Sequence, residues 1–395
     1  MNIPMLDLKR QYTELKSDLE PKILNCLRSG QYIMGKPVEK LEEDLAKYLH
    51  VRHAITVGNG TDAILLSLRA IGIGPGDEVI TSPFTFFATA EAIAFLGATP
   101  VFADVDPVTY NLDPESTRTC ITPRTKAILP VHIFGHPADM LAFKNIAKEH
   151  HLALVQDACH AIGASIGGKK AGTFGDIGCF SFFPTKNLGG FGDGGLITTD
   201  DDRYATIIRA MRTHGGGRIG AEAYSLLKGK PLPNTTTNNE NPLYNPYKYY
   251  NYLIGTNSRL DTLQAIILRG KLPHLNDWNA ARAKNAAFYC RNIQRKDVVL
   301  PLELKGYTHV WHQFVLRTSY KEQMGTFLAD KGISTGVFYP VPLHLQKAFE
   351  YLKYQPGSLP EAEKLAKETL CLPVFPELTE DELQYITQAV DAFTA

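Results

Sequence analysis

Segment 181–195, SFFPTKNLGGFGDGG, holds one lysine, Lys186, among mostly apolar, glycine and small hydroxyl residues. Such surroundings favour a lowered pKa for the amine. An uncharged amine can form a Schiff base with an aldehyde, whereas the usual ammonium form cannot. A surface lysine after a strand is the alternative, and it would fit better if Lys186 stood in a charged helix.

Two further segments carry groups that could hold a phosphorylated ring. Residues 57–64, VGNGTDAI, place Gly60 and Thr61 where a loop enters a helix, so free N–H groups and the helix dipole could meet a phosphate. Residues 152–164, LALVQDACHAIGA, place Asp157 at the C-terminal end of a strand, with His160 three residues later. The carboxylate could hold a cationic ring nitrogen, and the imidazole could orient a ring oxygen. The alternatives are an ordinary glycine-containing N-cap, and an aspartate capping a turn beside a histidine that fills a polar gap.

These groups complement one another chemically. A phosphate-binding loop, a carboxylate for a ring nitrogen and a Schiff-base lysine are together what a protein needs to hold pyridoxal 5'-phosphate as an electron sink. The combination is more specific than any one of its members.

The helices and strands that must position these groups are predicted from the spacing of apolar residues. Segment 36–72 has the apolar spacing of two helices separated by a glycine-rich break. Apolar strands then alternate with helical stretches, which predicts βαβ units and a largely parallel sheet. The predicted strands are 79–81, 99–105, 125–131, 152–157, 177–183 and 195–199.

The later part of the chain has a different composition. Segment 215–252 is predicted to be a long loop, because its second half is rich in Pro, Asn, Thr and Tyr and has no regular spacing of apolar residues. A smaller α/β unit is predicted beyond it, with strands at 312–317 and 334–340 and helices at 321–331, 361–370 and 379–393. Thr379 and Glu382 have the spacing of a capping box at the start of the last helix. We expect a large domain at 1–256 and a small one at 257–395.

Composition excludes several classes of function. The 395 residues include 41 Lys plus Arg and 41 Asp plus Glu, so no net field would hold the chain on nucleic acid or an anionic membrane. No apolar run reaches the roughly 18 residues of a membrane-spanning helix. The six cysteines lie far apart and form no CxxC pair, so we expect reduced thiols, no metal site and a cytoplasmic location.

Nearly the whole chain resembles the DegT/DnrJ/EryC1/StrS family of pyridoxal-phosphate-dependent nucleotide-sugar aminotransferases. The resemblance is carried by GNGTDAI (58–64), GPGDEVITSPFTFFATAEAI (74–93), QDACHAIGA (156–164), segment 181–195, NSRLDTLQA (257–265) and YPVPLHLQ (339–346). It implies the aspartate-aminotransferase-like fold of fold type I enzymes: a large mixed-sheet α/β domain followed by a smaller α/β domain. The long loop before Asn257 departs from typical members.

The resemblance also implies roles for individual residues. Lys186 forms the Schiff base with the coenzyme and later acts as the general base, Asp157 pairs with the pyridine nitrogen, and His160 neighbours the phenolic oxygen. The coenzyme ring stacks on Phe86. Its phosphate is bound by Gly60, Thr61 and Ser181, and by Asn257 of the other subunit, so a homodimer with shared active sites is implied.

The implied reaction moves an amino group from glutamate to a nucleotide-linked keto-sugar, with UDP or dTDP as the nucleotide. Residues 257–261 have the sequence Asn-Ser-Arg-Leu-Asp, and family members with this sequence tend to act on 3-keto sugars. A small Ser258 would leave room beside the coenzyme phosphate for the sugar to rotate. The alternatives are a 4-keto acceptor, shared ancestry as the origin of the pattern, and a regulatory member without turnover. A nucleotide-sugar dehydratase would carry histidine in place of Lys186.

Overall fold

The computed structural model of the chain describes residues 1–229 and 249–394. Its helices are α1 (Leu8–Ser29), α2 (Lys36–Leu49), α3 (Gly60–Ala70), α4 (Ala88–Phe95), α5 (Pro114–Thr119), α6 (Met140–Glu149), α7 (Asp202–Met211), α8 (Gly217–Lys228), α9 (Thr262–Lys271), α10 (Leu275–Asn292), α11 (Lys321–Asp330), α12 (Pro360–Glu368) and α13 (Glu380–Ala392). Its strands are β1 (His53–Val57), β2 (Glu78–Thr81), β3 (Thr99–Phe102), β4 (Thr125–Leu129), β5 (Ala153–Asp157), β6 (Ser165–Ile166), β7 (Lys169–Lys170), β8 (Ile177–Ser181), β9 (Gly195–Thr199), β10 (Tyr307–Thr308), β11 (Phe314–Arg317) and β12 (Thr369–Leu372).

The largest sheet has seven strands in the order β1-β9-β8-β5-β4-β2-β3. Strands β8, β5, β4, β2 and β3 run parallel, and β9 is antiparallel to both of its neighbours. This mixed sheet confirms the predicted fold class. All six strands predicted in this region are present, but β1 was missed, because its five residues were read as part of the glycine-rich break between two helices.

Strand direction and register bring the predicted site residues to one edge of the sheet. Val57 at the end of β1 lies opposite Gly195, and Gly195 lies opposite Ser181 at the end of β8. Asp157 at the end of parallel β5 pairs with Cys179. The loops that follow these strands therefore meet at the edge where open α/β sheets bind ligands.

Helices cover both faces of this sheet. Strand residues alternate between the faces, so Ile55 and Ile197 pack with α3 and α7, while Ala54 and Leu196 pack with α2 and α9. Each fully buried Ile or Leu contributes roughly 1.5–3 kcal/mol relative to exposure. Two apolar layers thus hold the sheet, and the loops at its edge, in place.

A second unit is built on the antiparallel pair β11–β12, against which α10, α11 and α13 pack. The predicted capping box is confirmed: the Thr379 hydroxyl accepts from the N–H of Glu382, and the Glu382 carboxylate accepts from the N–H of Thr379. Ile3 belongs to the core of this unit and pairs with Ile333. The division into domains at residue 257 stays a prediction.

Two predictions of local structure are wrong. Residues Gly217–Lys228, predicted as part of the loop 215–252, form α8, which packs on α7 and buries Ala223 among the apolar residues of α7. The predicted loop was extended too far toward its N-terminus, and residues 230–248 of it lie outside the described residues. Segment 334–340 forms no strand; Gly336 alone bridges to Cys371.

Among residues 1–229 and 249–394, no helix is long and apolar enough to cross a lipid bilayer.

Candidate active site

A cavity of about 750 Å³ opens at the carboxyl edge of β5 and β8. Its wall brings together every predicted site residue except Asn257, namely Gly60, Thr61, Phe86, Asp157, His160, Ser181 and Lys186. These residues come from four separate stretches of the chain. The sheet topology thus brings together residues, such as Gly60 and Lys186, that lie more than 120 positions apart in the sequence.

The start of α3 has the form of an anion-binding site. The side chain of Asn59 accepts from the N–H of Asp62 at 2.8 Å, which caps the helix and leaves the first-turn N–H groups of Gly60 and Thr61 without an intrahelical partner. A Cβ at Gly60 would lie 2.9 Å from the Ser181 Cβ and 3.1 Å from the Cys159 sulfur. Only glycine fits here, and its absent side chain leaves the helix N-terminus open to a phosphate.

Asp157 is buried, with 4% of its surface exposed, and its carboxylate is oriented by two donors. Thr89 donates its hydroxyl to Oδ2 at 2.8 Å, and the N–H of Cys159 donates to Oδ1 at 3.1 Å. A carboxylate has about four acceptor positions, so others remain for a cationic ring nitrogen.

His160 is buried, and its tautomer follows from a single contact. The N–H of Phe134 donates to Nδ1 of His160 at 3.3 Å, so Nδ1 is the acceptor and the ring proton lies on Nε2. Burial, and then the charge of Lys186, holds the pKa of His160 well below its usual 6.5. The side chain is therefore a neutral N–H donor.

Lys186 is half-buried in the cavity wall, on the loop between β8 and β9. Burial lowers the pKa of its amine from 10.5 to about 8, although Cys159 and Asp157 act in the opposite direction. Its backbone N–H donates to the carbonyl of Phe183 at 2.8 Å, which forms the turn that carries the side chain. The amine is thus prepared for the nucleophilic chemistry that the sequence suggested.

The Phe86 ring lines the cavity with 58% of its surface exposed. Its centroid is 6.3 Å from that of Tyr339, which lies in the same wall. Such an exposed apolar ring is available to cover the face of a bound aromatic ring.

Asn257 lies outside the cavity of its own chain and is exposed; its backbone bridges to Thr213. Its neighbour Ser258 is buried and contacts the phosphate loop instead. The Ser258 hydroxyl accepts from the N–H of Gly58 at 3.0 Å and donates to the carboxylate of Asp62 at 2.6 Å. The contribution of Asn257 to a partner's site stays a prediction.

Sequence reasoning missed several residues of the cavity. Thr89, Tyr339 and His312 all line it. Thr89 lies three residues after the predicted Phe86, a helical spacing that could have identified it. His312 lies in segment 307–313, YTHVWHQ, which has no motif, so its place depends on the tertiary fold alone.

The model of the DegT/DnrJ/EryC1/StrS aminotransferase family matches residues 13–391. The chain belongs to this family. Its fold class and family membership, both predicted from the sequence, are thereby confirmed.

Two relatives and one solved structure are similar to the chain over nearly its whole length. The chain is 47% identical over 396 residues to a "Pleiotropic regulatory protein" of Geobacillus stearothermophilus, covering 100% of this chain and 99% of the relative. It is 40% identical over 388 residues to UDP-N-acetyl-3-dehydro-alpha-D-glucosamine 3-aminotransferase of Acidithiobacillus ferrooxidans, covering 98% and 97%. The crystal structure of S. venezuelae DesV with a ketimine intermediate superposes with a TM-score of 0.89 at 38% identity, covering 99% and 98%.

Proposed function

We propose that the protein is a pyridoxal-phosphate-dependent aminotransferase that moves an amino group from glutamate to a nucleotide-linked 3-keto sugar. The observation that carries the proposal is one cavity containing Lys186 with a lowered pKa, the oriented carboxylate of Asp157 and the open N-terminus of α3. These groups fit the aldehyde, the ring nitrogen and the phosphate of one molecule.

Pyridoxal phosphate supplies an aldehyde that condenses with amines and a ring that withdraws electrons from the bond to be broken. The N–H groups of Gly60 and Thr61, with Ser181, would hold the phosphate. Asp157 would keep a proton on the ring nitrogen, because its negative charge stabilises the cation. The Nε2–H of His160 would donate to the phenolic oxygen, and Phe86 would cover one ring face.

Lys186 has two tasks in this proposal. It would bind the aldehyde carbon of the coenzyme, and as a free amine it would accept the proton from the donor Cα. A lysine of ordinary pKa would be almost entirely protonated at neutral pH, so both tasks would be slower. In the second half of the reaction the same amine would deliver a proton to the sugar carbon that takes the amino group.

The 3-keto position is supported by the Acidithiobacillus relative, whose name places its amination at carbon 3 of a UDP-linked sugar. Asn257 and Ser258 carry the sequence pattern that resembles 3-keto enzymes. A 4-keto acceptor is the runner-up. We also propose a homodimer in which Asn257 of each subunit reaches the other's phosphate.

A regulatory role without turnover is the second candidate, because the Geobacillus relative is named a regulatory protein. The cavity weighs against it, since a protein that never turns over has no need for a lysine of lowered pKa beside an oriented carboxylate.

The test uses purified protein loaded with pyridoxal phosphate. We expect glutamate to convert the bound coenzyme to its amine form, with loss of the visible absorption band, and we expect Lys186→Ala to block that conversion. UDP- and dTDP-linked 3-keto and 4-keto hexoses are then supplied, and NMR locates the new amine. An unchanged spectrum with every amino donor would support the regulatory candidate, and an amine only at carbon 4 would refute the 3-keto assignment.

A further inference from the structure

Two buried threonines, Thr85 and Thr89, line the cavity beside Asp157. They stand four residues apart, where the chain enters α4. Their hydroxyl oxygens are 3.2 Å apart, and the Thr89 hydroxyl also lies 2.8 Å from Oδ2 of Asp157. The three side chains thus form one continuous hydrogen-bonded chain. The reaction proposed above assigns no task to either threonine.

The direction of this chain follows from the number of protons in it. An ionised carboxylate only accepts hydrogen bonds, so the single proton of the Thr89 hydroxyl points to Asp157. The Thr89 oxygen can then only accept from the Thr85 hydroxyl, which must be the donor. Within residues 1–229 and 249–394, the Thr85 hydroxyl has no second hydrogen-bond partner, so no other protein acceptor competes for its proton.

The side chain of Asp157 depends on few donors. In the described part of the protein its carboxylate forms no ion pair, and it accepts only from the Thr89 hydroxyl and the N–H of Cys159. The backbone of Asp157 is held separately: its N–H donates to the carbonyl of Pro130 at 2.9 Å, and its carbonyl accepts from the N–H of His132 at 3.0 Å. Loss of the hydroxyl should therefore affect the carboxylate and leave the strand in place.

Hydrogen bonds donated to a carboxylate stabilise its charged form, and so weaken its attraction for a proton that it shares with another group. A hydroxyl that itself accepts a hydrogen bond is polarised and donates more strongly. Thr85 thus strengthens the bond from Thr89 to Asp157, although it does not contact the carboxylate.

We propose that Thr85 and Thr89 are positioning residues for Asp157: their hydroxyls, donating in series, fix the carboxylate and keep the shared proton on the ring nitrogen of the bound coenzyme. The inference rests on the proposed function and extends it, because the ring withdraws electrons most strongly when its nitrogen is protonated. The threonines would act in both halves of the reaction through Asp157.

The first test needs no coenzyme and no turnover. In coenzyme-free protein labelled with 13C at the aspartate carboxyl carbons, Asp157→Asn identifies the NMR signal of Asp157. Thr89→Val removes the hydroxyl and nearly keeps the shape, so the signal should move. Thr89→Ser keeps the hydroxyl and should leave the signal near its wild-type position, and Thr85→Val should move it in the same direction as Thr89→Val but less far.

Two outcomes of this first test would overturn the proposal. A signal that Thr89→Val leaves in place would show that the hydroxyl does not act on the carboxylate. Equal displacements in Thr89→Val and Thr89→Ser would show that the methyl group of Thr89, and not its hydroxyl, sets the position of Asp157.

The second test places 15N-labelled pyridoxal phosphate in the protein and reads the protonation of its ring nitrogen by NMR. We expect the wild-type signal to be that of a protonated ring, Thr89→Val to move it toward the unprotonated value, and Thr89→Ser to restore it. Asp157→Asn supplies the limit for a ring that has lost its carboxylate. A ring nitrogen equally protonated in Thr89→Val and in wild type would refute the proposed role.

The third test measures rates with the same variants. Thr89→Val should slow the glutamate and keto-sugar half-reactions alike, by about tenfold to 100-fold, the usual effect of one hydrogen bond to a charged group. Thr85→Val should cost roughly twofold to fivefold, because it only weakens that bond. The KM for glutamate should stay unchanged in both variants, and Thr89→Ser should recover most of the rate.

A loss confined to one half-reaction, or to the KM of one substrate, would mean that the threonine binds that substrate directly, and the proposal would fail. If the wild-type protein transfers no amine, the proposed function fails instead. The 13C signal of the coenzyme-free protein still decides whether the two hydroxyls act on Asp157.

Discussion

The lowered pKa of Lys186 makes a quantitative prediction about capture of the coenzyme. With a pKa of about 8, roughly one amine in ten is uncharged at pH 7. With the ordinary value of 10.5, only about one in 3000 would be. The cavity should therefore raise the concentration of reactive amine about 300-fold at pH 7.

The sign of the pH dependence follows from the same pKa. The rate at which coenzyme-free protein captures pyridoxal phosphate should rise with pH and level off above about 8, because the amine is then already uncharged. Asp157→Asn should move the midpoint to lower pH, since the carboxylate of Asp157 raises the pKa of Lys186. Stopped-flow absorbance measures the rate.

A free lysine derivative, reacted with pyridoxal phosphate over the same pH range, accounts for ionisation of the coenzyme itself. Lys186→Ala should give no rapid phase. A wild-type midpoint near 10.5 would show that burial does not lower the pKa of Lys186. It would refute the predicted increase in the fraction of uncharged amine. A midpoint that rises in Asp157→Asn would contradict the assigned influence of the carboxylate.

Three further perturbations address other parts of the site. Gly60→Ala should weaken coenzyme affinity about fivefold to 150-fold, because the new Cβ meets Ser181 at 2.9 Å, an overlap that costs roughly 1–3 kcal/mol; equilibrium titration measures the affinity, and an unchanged value would contradict a phosphate site at the start of α3. Asp157→Asn should slow the glutamate half-reaction on the order of hundredfold, since an amide cannot stabilise a charged ring nitrogen; a rate within twofold of wild type would refute its role. Mixing Asn257→Ala chains with Lys186→Ala chains should restore activity above either parent if Asn257 serves the partner's site, and no recovery would exclude shared sites.

The sequence predicted most accurately those features that depend on strand ends. Asp157 was predicted at the C-terminal end of a strand, where open α/β sheets bind ligands, and it ends parallel strand β5 in the structure. Gly60 was predicted at the point where a glycine-containing loop enters a helix, and it begins α3, although the strand before it was missed. Local pattern was sufficient for these two residues, whereas Ser181 was assigned through the family resemblance.

Helix α8 was missed although its local sequence favours it: residues 221–228 are rich in Ala and Leu, which are strong helix formers, but the composition of the following segment was applied to them. His312 could not be predicted because its position has a tertiary cause. The segment before β11 contacts the lysine loop, where Asn187 lies within hydrogen-bond distance of Val310 and His312. No sequence pattern connects His312 with Asn187, which lies 125 positions away.

Ser258 has contacts that the sequence did not predict. A small side chain at this position is expected to leave room beside the phosphate, and in the structure Ser258 is only 1% exposed. Its hydroxyl joins the N–H of Gly58 to the carboxylate of Asp62, so it holds the loop before α3 in place. A phenylalanine here could form neither bond, and its ring would press on Gly58, whose ideal Cβ position lies 3.3 Å from the serine oxygen. If the identity of this residue affects which sugar carbon is aminated, we expect it to do so through the position of the loop 58–62, whose free N–H groups would hold the coenzyme phosphate.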